Sequence, residues 1–178
     1  RAMNRGIAAA SGDIVAPLHA DDYSADPEVL ATVKARFEAA AEAGQPLDWV
    51  FGSILVLRDG RLAPPNALPR FSYRAFAAGR ASIPHPAVFV RRAAFARVGS
   101  FDEGLRYAMD IDLWLRLGAV ATPGMIDRPL AVFREHPGSV STANRMAARR
   151  EEFGVRRRHF SRAPLAFGIY CLRYLKRM

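Results

Sequence analysis

The stretch Asp13-Ile-Val-Ala-Pro-Leu-His-Ala-Asp-Asp22 constrains the fold of this chain more than any other, because a short apolar run stops abruptly on two adjacent carboxylates. Ile14, Val15, Ala16 and Leu18 are too few for a helix and follow Gly12, so they predict a buried strand. A strand buried on both faces belongs in a parallel sheet covered by helices, and such sheets bind ligands just outside the carboxyl ends of their strands. Asp21 and Asp22 fall at that end. Adjacent carboxylates repel each other unless something positive lies beside them, and a hard divalent cation meets that need. The same pair also suits a plain loop that caps the following helix. On the dipeptide alone both readings stand.

The chain has 178 residues, 51% of them hydrophobic and 24% charged, which predicts one globular domain with a real core and room for an appendage. The single cysteine, Cys171, excludes an internal disulfide and fits a reducing compartment. No apolar run reaches the length of a membrane span. The formal charge of +9 is unevenly placed: residues 145–178 carry ten Lys and Arg against two Asp and Glu, so the body is nearly neutral and the tail strongly basic. Such a tail suits an anionic lipid surface or nucleic acid, or is simply a solvated helix face. It contains no nucleic-acid recognition motif, which disfavours that partner.

Periodicity and punctuation predict the remaining elements. Residues 2–10 read as a short helix. Asp26-Pro27-Glu28 reads as a helix start, and Val29, Leu30, Val33 and Phe37 extend that helix over 27–43. Leu47 to Leu57 is a strand, and Asp59-Gly60 turns it into a second strand near 61–63. Residues 64–84, with four prolines, form a long loop with a short helix near 72–79, and loops of this length are usually functional. A strand at 86–90 and a helix at 91–98 closed by Gly99 follow. Asp110 to Leu117 is a helix with Leu113, Trp114 and Leu117 inward and an Asp112–Arg116 pair on its surface. A strand lies within 125–133, a polar Arg-rich helix covers 142–161 and a last helix covers 165–177.

Four features stand together in this layout: Asp21-Asp22 at a strand end, Asp110 at a helix start, His136 just past a strand, and the long loop between them. Alone, Asp110 reads as a helix cap, His136 as a loop histidine and His85, between two prolines, as lining the start of its strand. Their order and wording resemble the family 2 glycosyltransferases, which have the nucleotide-diphospho-sugar transferase fold called GT-A. Asn4-Arg-Gly-Ile-Ala-Ala-Ala-Ser-Gly-Asp13 resembles a family segment of the form N-x-G-I-x-x-A-x-G-D, and Leu18-His-Ala-Asp-Asp22 resembles its acidic metal-binding motif. Phe51-Gly52 matches a strand that often reads x-G-D. Pro86-Ala-Val-Phe-Val-Arg-Arg92, Gly99-Ser-Phe-Asp-Glu103, Asp110-Ile-Asp-Leu-Trp-Leu-Arg-Leu117 and Phe133-Arg-Glu-His-Pro-Gly-Ser-Val-Ser141 follow in the family's order. The resemblance covers roughly residues 4–141.

The resemblance implies an α/β fold, a partial Rossmann-like GT-A domain over 1–141 with a mostly parallel sheet flanked by helices, followed by a basic amphipathic helical tail over 142–178. It implies an inverting, hexosyltransferase-like enzyme that uses Mg²⁺ or Mn²⁺ and moves a sugar from a nucleotide-sugar donor to a saccharide or lipid-linked hydroxyl. By resemblance Asp110 is the general base, and Asp22, Asp21 and His136 hold the metal. Asn4, His19 and Arg134 contact the donor diphosphate, and Asp112, Trp114 and His85 line the acceptor side. His19 replaces an acidic or amide residue frequent in the motif, Met109 replaces the Glu that commonly precedes the base, and Ser53 stands where Asp is frequent. No Gln-x-x-Arg-Trp motif of the processive synthases is present, which favours single addition.

The family's first strands, which hold the nucleotide base, have no counterpart before Asn4. The chain is thus expected to be the catalytic and acceptor-binding part of a longer enzyme, and to bind donor poorly by itself. A cytoplasmic location is expected, with peripheral contact to the inner face of the membrane through the basic C-terminal helix. The alternative reading is a non-catalytic binding module derived from the same fold.

Overall fold

Two long strands carry the architecture. The computed structural model describes residues 1–65, 67–135 and 144–177. In chain order the elements are α1 (Ala2–Ala9), β1 (Ile14–Val15), β2 (Tyr23–Ser24), α2 (Val29–Glu42), β3 (Trp49–Arg58), β4 (Arg61–Ala63), α3 (Tyr73–Ala77), β5 (Val88–Arg91), α4 (Arg92–Val98), α5 (Met109–Gly118), β6 (Gly124–Glu135), α6 (Arg145–Arg158) and α7 (Pro164–Arg177), with short 3₁₀ turns at His85–Ala87 and Phe160–Arg162. The sheet runs β1-β5-β3-β6-β2, with β4 paired to the far end of β3.

The α/β class holds, but the strand directions differ from the expectation of a mostly parallel sheet. Only β3 and β6 run parallel among the described strands; the β1–β5, β5–β3, β3–β4 and β6–β2 pairs are antiparallel. A parallel pair needs a long crossover, and the connection from β3 to β6 through α3, α4 and α5 provides it. The run at 14–18 is also shorter and less buried than expected. β1 ends at Val15 on the open side of β5, and Ala16 and Leu18 are exposed. Pro17 has no N–H with which to continue a ladder.

Alternation along the central strand sets the two core layers. Trp49 and Phe51 face α5, where Leu113, Trp114 and Leu117 are fully buried. Val50 faces the other way, with Phe89, Ile126 and Leu130 against Val29, Val33 and Phe37 of α2. The hairpin from β3 to β4 turns on Asp59 (φ 50°) and Gly60 (φ 75°), the two left-handed residues of a tight hairpin turn.

Gly52 sits where β3 passes an irregularity in β6, whose pairing register shifts between Gly52 and Ile54. A Cβ on Gly52 would fall 2.6 Å from Leu130 Cγ and 2.8 Å from the main-chain oxygen of Arg128. The backbone oxygen cannot swing aside, so Gly52→Ala is expected to destabilise the fold by about 1–3 kcal/mol. A thermal melt of that variant indistinguishable from wild type would refute this packing argument.

The basic tail packs on the body. Val155, Ala163 and Ala166 are buried in the layer that contains Trp114, and Tyr170 is buried as well. Arg156 is buried too: it donates to the main-chain oxygens of Phe76 and Ala77, pairs with Glu152 at 2.8 Å and lies over the rings of Tyr170 and Phe76. Asp112 of the Asp112–Arg116 pair, expected on the surface, is buried as well. Asp112 accepts from Arg116 at 2.9 Å and meets His159 Nε2 at 3.3 Å, because α6 and the turn after it cover this face of α5.

Candidate active site

The loop between β1 and β2 carries the acidic pair. β2 pairs antiparallel with β6, Tyr23 opposite Val132 and Ser24 opposite Ala131, which brings the preceding carboxylate against the end of β6. Asp22 is only 7% exposed, and its Oδ1 accepts the main-chain N–H of Arg134 at 3.2 Å. Burial raises the Asp22 pKa above the ordinary carboxylate value; the Arg134 N–H opposes the rise and the charge of Asp21 adds to it. His19, Asp21 and Asp22 bring one potential ligand atom each within 4.8 Å of one another. Two carboxylates and an imidazole form a donor set suited to a divalent first-row cation.

His85 lies beside this cluster. Its ring meets the His19 ring edge-on at 4.7 Å and contacts Trp114 and Phe101 on its other sides, at 5.9 and 5.8 Å. Burial, then the neighbouring charge of His19, lowers its pKa to about 4, so the imidazole is neutral near pH 7. A neutral ring there adds no repulsion toward a cation held by the loop.

Asp110 is the second residue of α5. Its Oδ1 accepts the Ile111 N–H at 2.8 Å, and it lines a cleft of about 430 Å³ between the segment after α3, α5, α6 and α7. Burial raises the carboxyl pKa to about 6; local N–H groups oppose this, Glu152 adds to it and His19 reduces it. A carboxyl group with a pKa near 6 can accept a proton at neutral pH.

Several residues assigned by resemblance are engaged elsewhere. Asn4 is a clamp and not a free donor-side amide: its Nδ2 donates to Phe101 O at 2.8 Å and to Glu103, and its Oδ1 accepts the Phe101 N–H at 3.0 Å. Trp114 is fully buried and stacked on Trp49 at 5.8 Å, so it forms the floor under His85 and offers no acceptor surface. Asp112 is committed to Arg116 and His159. His85 touches the His19 side of the site. Arg134 presents its main-chain N–H to Asp22 while the residue itself is exposed. His136 lies outside the described residues.

Sequence reasoning missed the support that the tail gives Asp110. Glu151 of α6 accepts the N–H groups of Arg106 at 3.0 Å, Tyr107 at 2.5 Å and Ala108 at 2.7 Å, the three residues that lead into α5. Arg158 pairs with Asp102 at 2.9 Å on the same loop. Glu151 and Glu152 are the only acidic residues in 145–178, and that isolation was the available signal.

Known proteins of this shape give the fold first. The fold matches the crystal structure of S. aureus TarS 1-349 with a TM-score of 0.57 over 89% of this chain and 50% of that one, at 17% sequence identity. The sequence then narrows it. Over 133 residues, 74% of the chain, it is 35% identical to uncharacterized glycosyltransferases from two strains of Mycobacterium tuberculosis. The chain is a homologue of proteins named glycosyltransferases, and spans about half the length of these curated relatives, 48% of each. No family model matches the chain.

Proposed function

We propose that the chain is the catalytic and acceptor-binding part of a family 2 glycosyltransferase of GT-A fold. It would act as an inverting, metal-dependent enzyme that moves a sugar from a nucleotide-sugar donor to a saccharide or lipid-linked hydroxyl. The observation that supports this reading is the cluster of His19, Asp21 and Asp22 around a potential cation position, in a chain whose relatives are named glycosyltransferases.

In this reading Asp110 takes the proton of the acceptor hydroxyl as its oxygen attacks the anomeric carbon. The bond from that carbon to the diphosphate breaks, its electron pair leaves with the nucleoside diphosphate, and the anomeric centre inverts. Asp22 and Asp21, with His19 and by resemblance His136, would hold Mg²⁺ or Mn²⁺; such an ion would neutralise charge growing on the departing diphosphate. The buried Asp22 is the stronger anchor, fixed in place by the Arg134 N–H. The imidazole of His19 inclines the set toward Mn²⁺ over Mg²⁺.

The outer face of α7 supports peripheral membrane contact: Leu165, Ile169, Leu172 and Leu175 are exposed along it beside Lys176. None of the described helices is long and apolar enough to cross a membrane.

Titrating Mn²⁺ into the chain and following the signal of the free ion by electron paramagnetic resonance tests the proposed metal set. Asp22→Asn is expected to weaken binding at least about tenfold, and Mg²⁺ should compete poorly. Equal Mn²⁺ affinity in wild type and Asp22→Asn would remove Asp22 from the set. A nucleotide-sugar screen with Mn²⁺ in the longer parent enzyme, read as nucleoside diphosphate release, tests the transfer itself.

A further inference from the structure

We propose that the cleft beside Asp110 binds a phosphate-bearing saccharide, with its anionic group held by Arg80, Arg173 and Arg177; only the role of that saccharide as acceptor rests on the glycosyl-transfer reading. The orientation of α7 is the first argument. Ala166 and Tyr170 are buried against the body, and Arg173 and Arg177 continue the same face at helical spacing into the cleft. Leu165, Leu172 and Leu175, at 84%, 65% and 70% exposure, point outward. A helix that merely solvated its charges would be turned the other way.

The second argument is the state of the guanidinium groups. Arg156, also in the cleft wall, is fully used by Glu152 and the main-chain oxygens of Phe76 and Ala77. Arg80, Arg173 and Arg177 have no ion-pair partner among the described residues, and the Nε of Arg173 is shielded from solvent without a hydrogen bond. A shielded cationic donor with no acceptor is costly, and three like charges around one cleft repel. A dianion removes both penalties, and guanidinium forks match phosphate oxygens in pairs.

The third argument is the room within the cleft. Asp110 and the three arginines line the same space. About 430 Å³ accommodates a sugar between them, its phosphate on the arginines and a hydroxyl toward Asp110.

Isothermal titration of the 178-residue chain in EDTA, with glucose 1-phosphate and uncharged methyl glucoside as probes, tests this. Glucose 1-phosphate is expected to bind at least about tenfold more tightly than the glucoside. Arg80→Gln and Arg177→Gln, both at exposed positions where folding is not at stake, should each weaken it about tenfold, as should Arg173→Gln. Lys34→Gln on α2, which removes the same charge elsewhere, should leave it unchanged. Equal affinity for the two sugars, or arginine variants that bind like wild type, overturns the proposal. Phosphatidylglycerol vesicles that bind through the same arginines, without binding of glucose 1-phosphate, would assign the cleft to a lipid headgroup and overturn it too. The readout is binding without turnover, so failure of the transfer chemistry and failure of this site are told apart.

Discussion

Asp110→Asn in the longer parent enzyme is expected to cut kcat by about 10²–10⁴ while leaving donor affinity unchanged, the range set by removal of a positioned general base. The same substitution should make the protein more stable. Burial raises the Asp110 pKa to about 6, so the folded state holds its proton more tightly than the unfolded chain does. Stability from this group is complete below the ordinary carboxylate value and is lost as pH rises through about 6. At pH 8 the ionised carboxylate is therefore a cost, and the neutral amide relieves it by about 1–2 kcal/mol. Activity has the opposite slope: the acid limb of kcat/KM should fall below about pH 6, as the base becomes protonated. Loss of turnover with a raised Tm would mark a group kept for chemistry at the expense of the fold. A variant with normal kcat would end the assignment of Asp110 as base, whatever its Tm.

Glu151→Ala is expected to lower stability by about 2–3 kcal/mol, because one carboxylate satisfies three consecutive main-chain N–H groups ahead of α5. The loss should reach the chemistry. Those N–H groups belong to residues 106–108, and Asp110 begins two residues later, so a loosened entry to α5 misplaces the proposed base. A displacement on the order of 1 Å costs about 10²-fold in rate. Two readouts separate positioning from simple unfolding. The acid limb of the pH profile should move from about 6 toward the ordinary carboxylate value as water reaches Asp110. Glu151→Gln, which keeps one acceptor oxygen, should recover part of the rate. An unchanged pH limb in a folded Glu151→Ala protein would leave Glu151 a merely structural residue.

What was legible in the sequence was what local chemistry decides. Asp26-Pro27 and the apolar spacing after it predict α2, and Asp59-Gly60 predicts the hairpin, because cap, turn and periodicity all lie within a few residues. Strand direction was not legible: β1 ends beside Pro17 and joins β5 antiparallel, Ile14 opposite Arg91 and Val15 opposite Val90, a pairing across the chain that no local pattern encodes. For the site, the loop carboxylates and Asp110 stood out because each punctuates an element. Asn4, Asp112 and Trp114, which the resemblance places at the donor and acceptor sides, are held by long-range contacts that the motif does not encode. Their partners, Phe101, His159 and Trp49, are distant in sequence, and a motif does not say which way a side chain turns. Glu151 was invisible for the same reason.

The grip of α6 on the entry to α5 has a consequence for grafting between homologues. Exchanging only the tail would bring a foreign α6 to hold Arg106–Ala108 and new arginines to an unmatched Phe76–Ile83 wall. The residues from Tyr73 to Ile83, residues 106–108 and those from Asn144 onward are therefore best moved together, and a chimera that divides them is expected to loosen the entry to α5.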